Sequence, residues 1–395
     1  MSQMKEHICV ISIGYPTDEN PVFTFVDQLV CALADEGVKC TVISPQSITK
    51  NIIRGIKLNP VKWSKVTKNN NRIDVYQPKY ISFSEFKVLG FELGQALFDF
   101  FFERAVKRAY RKIKEKPTII YGHFWSCGFV AAAIGYREKL PLYVACGEGE
   151  LIIRQSFLRR KRRLLDCING VISVSTENKA ESIKLGLAKE EKIIVIPNAV
   201  DQSKFYKMDK NKARTSLGFS EDDFIIAYTG WFSERKGSRR VSEAIKKLDN
   251  VKSIFIGSEE DSPTPKYTPD CEGILFCGRL PHQDIVKYLN CADVFVLPTL
   301  AEGCCNSIVE AMACGLPIIS SDLPCNDDIL DDNNSIRVNP LSVDEIADAI
   351  RYIRDNPEER TKMSEASLFV ASDLSIEKRA KKIMNYIRQT KSIIG

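Results

Sequence analysis

The sequence has few of the residues that hold metal ions or build disulfide frameworks. It contains only three histidines (His7, His123 and His282) and no C-x-x-C pair, so a zinc site is not expected. Its 13 cysteines are odd in number and irregularly spaced, and those within apolar runs behave as small core residues when reduced. A full G-x-G-x-x-G is also missing, which disfavours a dinucleotide cofactor. We therefore predict a reducing, cytoplasmic environment with no metal and no cofactor.

Long apolar runs and a strong charge of one sign are also missing. No stretch reaches the ~18 apolar residues that a membrane span requires, and the start, MSQMKEHICVISIG, lacks the pattern of a signal peptide. The 56 basic and 51 acidic residues leave a net charge of +5, too small to indicate nucleic acid. With 395 residues, 44% of them apolar, the chain is expected to be soluble and to form two or three domains.

Short β-branched runs alternate with helical patterns along the chain, which is typical of parallel sheets covered by helices on both faces. This alternation of strand and helix patterns stops at the turn PNAVD, residues 197–201, and resumes after it. We predict an α/β protein with two Rossmann-like domains facing a central cleft, over residues 1–198 and 199–375. A last segment, residues 376–395, carries a helix that could cross back onto the first domain. Predicted helices include 23–36, ended by Gly37, and 376–391; predicted strands are 8–13, 38–44, 118–121, 142–146, 170–174, 193–196, 224–229, 253–256, 274–277, 294–297 and 317–320.

The segment AEGCCNSIVEAMACGLPIISSDLPCNDDI, residues 301–329, follows a predicted strand. A helix is predicted from Ser307 to Cys314, and the free N–H groups at a helix start suit a phosphate. Glu302 and Glu310 flank this start, and carboxylates accept hydrogen bonds from sugar hydroxyls. The combination indicates a nucleotide-sugar site. Two structural alternatives exist, because Ser307-x-x-Glu310 is also a capping box and Glu302 could be a solvated loop charge.

This segment resembles the donor-site signature of the family-4 retaining glycosyltransferases of the GT-B fold. The signature is Glu, seven residues, Glu and an Ala-Met-Ala-x-Gly-x-Pro run, present here from Glu302 to Pro317. The resemblance extends to other landmarks and is weakest between residues 48 and 116 and at the C-terminus. It implies a role in polysaccharide synthesis of the capsule or O-antigen type. The other landmarks, in order, are YPTDENP, IIYGHF, VISVST, IPNAVD, YTGWFSERKG and CADVFVLPT.

The resemblance also implies roles for single residues. Glu310 would hold the ribose hydroxyls and Glu302 would face the transferred sugar, while Arg235 and Lys236 would neutralise the departing diphosphate. Many relatives carry arginine where this chain has Trp231, and the alternative for the two cations is a solvated loop pair. The remaining implied donor contacts are Gly14, Gly230, Gly278, Arg279, Leu280, Gly303, Cys304, Cys305 and Asn306.

Three further residues are candidates for catalysis or acceptor binding. A lone histidine is usually structural, but the resemblance places His123, in YGHF, at the cleft floor near the transferred sugar. Relatives often carry a His-Gly-x-Asp-like motif after the next strand, where this chain reads CGEGE. Glu148 and Glu150 of that motif either bind acceptor hydroxyls or face solvent.

The resemblance implies a retaining transferase that moves a hexose-type sugar from a UDP- or GDP-sugar to a saccharide or lipid-linked saccharide. The leaving phosphate would help to deprotonate the acceptor, and no carboxylate would act as nucleophile. Two alternatives remain open. One is a nucleotide-sugar 2-epimerase on the same fold, and the other is a non-catalytic nucleotide-sugar-binding protein.

Two basic stretches adjoin apolar residues in the first half of the chain. One is Arg159–Arg163 (RRKRR), and the other, Arg104–Lys116, follows a run of phenylalanines. Basic and apolar residues together suit an anionic membrane surface, which would make the enzyme peripheral at the inner membrane face. The alternative is two ordinary surface helices with solvated charges.

Overall fold

The computed structural model describes residues 6–17, 23–82, 93–149, 162–259 and 266–392. The strands that the sequence predicts all form, with ends that differ from the predicted ones by at most two residues. The strands are β1 His7–Ile11, β2 Lys39–Ile43, β3 Gln46–Ser47, β4 Lys62–Val66, β5 Arg72–Tyr76, β6 Lys79–Tyr80, β7 Ile119–His123, β8 Leu142–Cys146, β9 Gly170–Ser173, β10 Ile193–Val195, β11 Phe224–Thr229, β12 Val251–Ile256, β13 Ile274–Gly278, β14 Val294–Leu297, β15 Ile318–Ser321 and β16 Ser335–Val338.

The helices alternate with these strands, as the sequence predicts. Two short 3₁₀ turns, Glu190–Lys192 and Pro324–Asn326, supplement them. The helices are α1 Thr24–Asp35, α2 Ile48–Ile53, α3 Leu93–Arg111, α4 Trp125–Glu138, α5 Thr176–Lys184, α6 Lys210–Leu217, α7 Ser238–Ile245, α8 His282–Leu289, α9 Asn306–Ala313, α10 Val343–Asp355, α11 Pro357–Asp373 and α12 Ile376–Ser392.

The first sheet has the order β10-β9-β8-β7-β1-β2-β5-β4 within the described residues. All its pairs are parallel except β4 with β5, which form an antiparallel hairpin at one edge. Every residue of β1 is buried, as expected for a strand covered on both faces. In β4, by contrast, partly covered and exposed residues alternate, so this strand lacks the continuous apolar run that identified the others.

Helix α1 shows how the helices cover this sheet. Val26, Leu29, Val30 and Leu33 are buried, and their spacing places them on one face of the helix. Gly37 follows with a φ of 84°, the left-handed conformation that glycine adopts most easily and that ends many helices. The predicted end of this helix is therefore confirmed.

The second sheet has the order β13-β12-β11-β14-β15-β16, with all its strands parallel. In each sheet the chain starts in the middle, winds to one side and then returns to the other. The strand order therefore reverses between β1 and β7 in the first sheet and between β11 and β14 in the second. Ligands bind beyond the carboxyl ends of strands at such reversals.

The C-terminal helix α12 packs on the first sheet, although it follows the second in sequence. Its Ile383 and Ile387 join the apolar core formed by β1, β2 and α1. Tyr386 donates a hydrogen bond to the Lys192 carbonyl at 2.7 Å, and its ring fills the space where a Cβ of Gly170 would stand. The chain thus crosses between the two sheets twice, and the crossings pair where Val200 bridges Ser375.

In the part of the chain that the structure describes, every helix is too short or too polar to cross a bilayer.

Candidate active site

The carboxyl ends of the strands in the two sheets face each other across a crevice. Thr176, which follows β9, donates its backbone N–H and its hydroxyl to the Asp328 carboxylate beyond β15, at 2.6 and 2.7 Å. A Cβ added to Gly303, beyond β14, would lie 2.6 Å from the carbonyl oxygen of Gly147, beyond β8. Sequence reasoning missed the Thr176–Asp328 contact because nothing local to either residue signals its partner.

A compact ion cluster lies at the reversal point of the second sheet. Lys236 Nζ and Arg235 Nη1 both contact Oε1 of Glu302, at 2.6 and 2.7 Å, and the Thr299 hydroxyl donates to the same oxygen at 2.9 Å. The Lys236 and Glu302 side chains are only 11% and 12% exposed, whereas Arg235 is 48% exposed. The alternatives of a solvated loop pair and a solvated loop carboxylate are therefore wrong for Lys236 and Glu302.

Burial and neighbouring groups act in opposite directions on Lys236. Burial alone would lower the pKa of its ammonium, but the neighbouring Cys305 sulfur and the Glu302 carboxylate raise the pKa above the ordinary value. Lys236 is therefore a fixed positive charge at physiological pH. Because water is largely excluded, this charge acts strongly on a nearby anion.

Helix α9 begins directly beside this cluster. Cys305 is the residue before its first turn, and its Sγ lies 3.7 Å from Lys236 Nζ and 3.2 Å from Ser307 Oγ. Among the described residues, no side chain caps the helix and none forms a hydrogen bond with the buried Oδ1 atom of Asn306, its first residue. An uncapped helix start next to a buried ammonium is suited to binding an anion.

The capping box between Ser307 and Glu310, the structural alternative to a donor site, does not form. The helix starts one residue earlier than predicted, so Glu310 is its fifth residue and lies beyond the first turn. Its Oε1 instead forms a 3.0 Å hydrogen bond with Nε2 of His282, the first residue of α8. His282 is a site residue that sequence reasoning missed; its ring lies edge-on to Phe205, with 5.0 Å between ring centroids.

The loop that carries Glu302 is held by the first half of the chain. Gly303 approaches Gly147 so closely that a side chain at position 303 would clash. This contact explains why the residue is glycine, and close approach of a ligand is not needed to explain it. The Cys304 carbonyl accepts a 2.9 Å hydrogen bond from the Asn198 side chain. The position of the loop therefore depends on both sheets.

The loops after β11, β12 and β13 form a second surface beside the ion cluster. A Cβ on Gly257 would lie 1.9 Å from the Gly230 carbonyl oxygen, and the Gly257 N–H donates to Gly278 at 2.8 Å. The Arg279 guanidinium lies over the ring of Trp231, 5.4 Å from its centroid. Four residues predicted to contact the donor thus lie on these neighbouring loops: Gly230, Gly278, Arg279 and Leu280.

His123 ends β7, at the reversal point of the first sheet, and is only 6% exposed. The rings of Phe25 and Phe124 lie 5.5 and 4.7 Å from its own, and its Nδ1 atom has no hydrogen-bond partner. Burial, together with the nearby Arg379 guanidinium, lowers the pKa of His123 to about 3. The imidazole is therefore neutral at physiological pH.

The depressed pKa of His123 makes stability depend on pH. Below about pH 6.5 the unfolded chain binds a proton at this position that the folded protein does not bind. Stability is therefore lost as pH falls from 6.5 toward 3, by up to about 1.4 kcal/mol per pH unit from this group. Between pH 7.5 and 5 the free energy of unfolding should fall by about 2 kcal/mol less in His123→Gln than in the wild type. Urea unfolding at the two pH values measures the difference. His7, whose pKa is also lowered mainly by burial, remains in both proteins, so equal losses would contradict the assignment.

Gly14 also lies at this reversal point, but the space beside it is filled. A Cβ there would lie 2.3 Å from the Phe23 ring, so Phe23 explains the glycine in this structure. The predicted phosphate contact at Gly14 stays a prediction.

Glu148 does not face solvent, which was one of the two interpretations of its role. Its Oε1 accepts the Trp125 N–H at 2.6 Å and its Oε2 accepts the Gly147 N–H at 3.0 Å. The carboxylate thereby caps the start of α4, and burial raises its pKa. Binding of acceptor hydroxyls by Glu148 stays a prediction, and Glu150 lies outside the described residues.

Comparison with known proteins agrees with this architecture. The model of "Glycosyltransferase Family 4" matches residues 22–204, and that of "Glycosyl transferases group 1" matches residues 209–368. A Bacillus subtilis protein named as the teichuronic acid biosynthesis glycosyltransferase TuaC is 26% identical over 87% of this chain and 88% of its own length.

Solved structures show the same fold at lower identity. Sucrose-phosphate synthase from Thermosynechococcus elongatus superposes with a TM-score of 0.77, at 19% identity over 98% of this chain and all of its own. HepE from Anabaena, solved in complex with UDP, superposes with a TM-score of 0.73, at 17% identity over 97% of this chain and all of its own. The predicted fold of two Rossmann-like domains is confirmed, and the chain belongs to the family-4 glycosyltransferases of the GT-B type.

Proposed function

We propose that the protein is a retaining hexosyltransferase that uses a UDP- or GDP-sugar and acts in the synthesis of a surface polysaccharide. One observation carries the proposal: the buried Lys236–Glu302 pair lies at the uncapped start of α9, and Glu310 follows one turn later. A fixed cation and free N–H groups suit a diphosphate, and two carboxylates beside them suit sugar hydroxyls.

In this proposal the donor diphosphate lies between Lys236, Arg235 and the start of α9. Both cations contact Glu302, and the diphosphate would share them with that carboxylate. Breaking the bond between the sugar and the diphosphate leaves extra negative charge on the phosphate oxygens. Preorganised cations at that place stabilise the transition state, and the proposal therefore requires neither a metal ion nor a cofactor.

The nucleoside is proposed to extend from the diphosphate toward α8. Glu310 would accept hydrogen bonds from the ribose hydroxyls, with its carboxylate oriented by His282. The base would then lie near residues 278–280, beside the stacked Arg279 and Trp231 side chains. Both groups lie beyond the carboxyl ends of strands of one sheet, Glu310 in the helix after β14 and residues 278–280 at the end of β13, as expected for a nucleotide site in an open α/β sheet.

The transferred sugar is proposed to lie between Glu302 and His123. A neutral imidazole can accept a hydrogen bond from a sugar hydroxyl or donate one to it, and it adds no charge to the site. The acceptor hydroxyl attacks the anomeric carbon from the side that the diphosphate leaves, and its proton passes to the departing phosphate oxygen. Holding both substrates in one crevice contributes much of the rate.

The names of the similar proteins support a carbohydrate-polymer product and a UDP-linked donor. TuaC is named for teichuronic acid biosynthesis, and HepE was solved with UDP. We propose the corresponding class for this chain: a nucleotide-sugar donor with a saccharide or lipid-linked saccharide acceptor. The reaction would take place in the cytoplasm, at the inner membrane face.

A thermal-shift panel of UDP- and GDP-sugars tests the donor assignment. A donor present at 100 times its Kd stabilises the folded protein by about 2.7 kcal/mol, so one nucleotide series should raise Tm clearly and the other should not. Incubation of the stabilising donor, labelled with ¹³C at the anomeric carbon, with saccharide acceptors then identifies the product by NMR. An α-linked product from an α-linked donor, formed equally in EDTA, is expected. A free epimerised sugar would favour the 2-epimerase, and binding without turnover would favour the non-catalytic alternative.

A further inference from the structure

Two isoleucines at the end of helix α2 are unusually exposed. Ile52 is 69% exposed and Ile53 is 82% exposed, although both belong to the residue type that is most often buried. They lie within a short segment, residues 50–57, that we call the α2 tip. Adjacent exposed isoleucines indicate a surface that contacts something less polar than water.

The charges around these isoleucines have one sign. The α2 tip contains Lys50, Arg54 and Lys57 and no acidic residue. Lys62 follows with no acidic residue between, whereas the later cations Lys65, Lys68 and Arg72 form ion pairs with Asp27, Glu377 and Asp74 and lie toward the amino ends of the strands. An apolar contact surrounded by cations suits a surface that is apolar inside and anionic outside.

The α2 tip is built as a defined loop. The buried Gln46 side chain donates to the Asn59 carbonyl at 2.8 Å and accepts the Asn59 N–H at 2.9 Å, which closes the segment between them. The Ser47 hydroxyl accepts the Lys50 N–H and caps α2, and Thr49 donates to the Ser82 carbonyl at 2.6 Å. The fold therefore holds the two isoleucines in an exposed position.

The α2 tip lies at the same sheet edge as the crevice. Four residues separate β2 from helix α2, which carries the tip. The carboxyl end of β2 points in the same direction as the end of β7, which carries His123, because both strands are parallel to β1. A surface that contacts the α2 tip would thus lie beside the rim of the crevice. Helix α3 adjoins it, since Lys50 Nζ lies 5.9 Å from the Phe98 ring centroid.

We propose that the α2 tip docks on an anionic lipid bilayer, with Ile52 and Ile53 inserted among the acyl chains and the cations on the headgroups. Two apolar side chains are too few for a stable protein interface, which needs about 800 Å² on each partner. They are sufficient for shallow insertion that is reinforced by headgroup charge. This inference deepens the proposed function, because a docked enzyme would receive a lipid-linked acceptor at the crevice rim.

The basic stretches predicted from the sequence contribute differently. Phe100, Arg104 and Arg111 have the spacing of one exposed face of α3, so the stretch Arg104–Lys116 adds cations near the α2 tip. Of Arg159–Arg163, only Arg162 and Arg163 lie within the described residues. Within its described residues, the stretch Arg104–Lys116 exposes no aliphatic pair like that of the α2 tip.

Vesicle flotation tests the proposal on the full chain. The wild type should float with phosphatidylglycerol-containing vesicles, should not float with pure phosphatidylcholine vesicles, and should be released by high salt. The double variant Ile52→Ser/Ile53→Ser should bind about tenfold more weakly. Phe369→Ser is the matched control, because Phe369 is 80% exposed but belongs to α11, and it should bind as the wild type does.

A second measurement avoids dependence on the double variant. Ile53→Trp should show a blue-shifted indole emission when anionic vesicles are added, and brominated acyl chains should quench it. Wild-type binding by the double variant, unshifted emission, or a change in oligomeric state of the double variant without vesicles would each overturn the proposal. Donor-induced thermal shifts should be the same in the tip variants and the wild type, so loss of vesicle binding and loss of donor binding are separate failures.

Discussion

Replacing Lys236 by methionine is expected to lower kcat for sugar transfer by about 10²- to 10³-fold, as when one preorganised group that stabilises transition-state charge is removed. The ammonium is nearly buried, 2.6 Å from Glu302 and beside the start of α9. Charge that develops on the departing diphosphate is poorly screened there. Methionine keeps the apolar stem and removes only the charge. Steady-state kinetics at saturating donor would measure the effect.

Arg235→Met is the matched control for this substitution. Arg235 contacts the same Glu302 oxygen at 2.7 Å, but about half of its side chain is exposed. Solvent screens the interaction of an exposed cation with a nearby anion, so we expect less than about a tenfold loss of kcat. Equal losses of kcat in the two variants would show that burial does not determine how strongly these cations stabilise the transition state.

A double variant separates catalysis from stability at Lys236. Removing one partner of a buried ion pair can cost about 3–5 kcal/mol, because the other charge stays buried. Arg235 still contacts Glu302 in Lys236→Met, so the loss there should be smaller. In Lys236→Met/Glu302→Gln that charge is gone, so the free energy of unfolding should recover while kcat stays low. If kcat recovered together with stability, Lys236 would be a structural residue and the proposed diphosphate site would fail.

The parallel strands could be predicted because burial on both faces leaves a continuous apolar run in the sequence. In β1 all five residues are buried, and the other central strands show the same pattern. The region around β4 could not be predicted in this way. Its residues alternate between partly covered and exposed, and the pairing with β5 that defines it depends on a partner strand.

Helix α2 shows even more clearly that residue type alone does not predict burial. Ile52 and Ile53 look like core residues in the sequence, yet they are among the most exposed side chains described. Local sequence does not show that Gln46 and Asn59 close the segment and turn both isoleucines outward. That outcome is set by tertiary hydrogen bonds.

The candidate site was predictable as a set of residue types but not as a set of contacts. The helix start and the two carboxylates beside it follow from the order of strand, loop and helix, whereas the two cations were implied only by the family resemblance. The partner of Glu310 does not follow from that order, since His282 is 28 positions away, at the start of another helix. The capping box did not form because the N-cap of α9 is Cys305, two residues before Ser307, which that motif requires at the N-cap.

Glu310→Ala is expected to weaken binding of the nucleotide donor by about 100-fold. The carboxylate would accept two ribose hydroxyls, and each hydrogen bond to a charged acceptor contributes about 1.5 kcal/mol. The fold should tolerate the change, with less than about 1 kcal/mol lost from the free energy of unfolding, because Glu310 caps no backbone group at the start of α9. Calorimetric titration with nucleotide and urea unfolding of the same samples measure both quantities.

Two controls make the Glu310 result specific to ribose. Ser307→Ala, which would cost about 1 kcal/mol if Ser307 were a helix cap, should leave both stability and donor affinity nearly unchanged. The 2′-deoxy nucleotide should bind the wild type more weakly than the ribonucleotide does, whereas Glu310→Ala should bind the two alike. The coupling energy between variant and ligand then measures the contact directly. If Glu310→Ala keeps the full preference for ribose, the ribose lies elsewhere and the carboxylate serves only to hold His282.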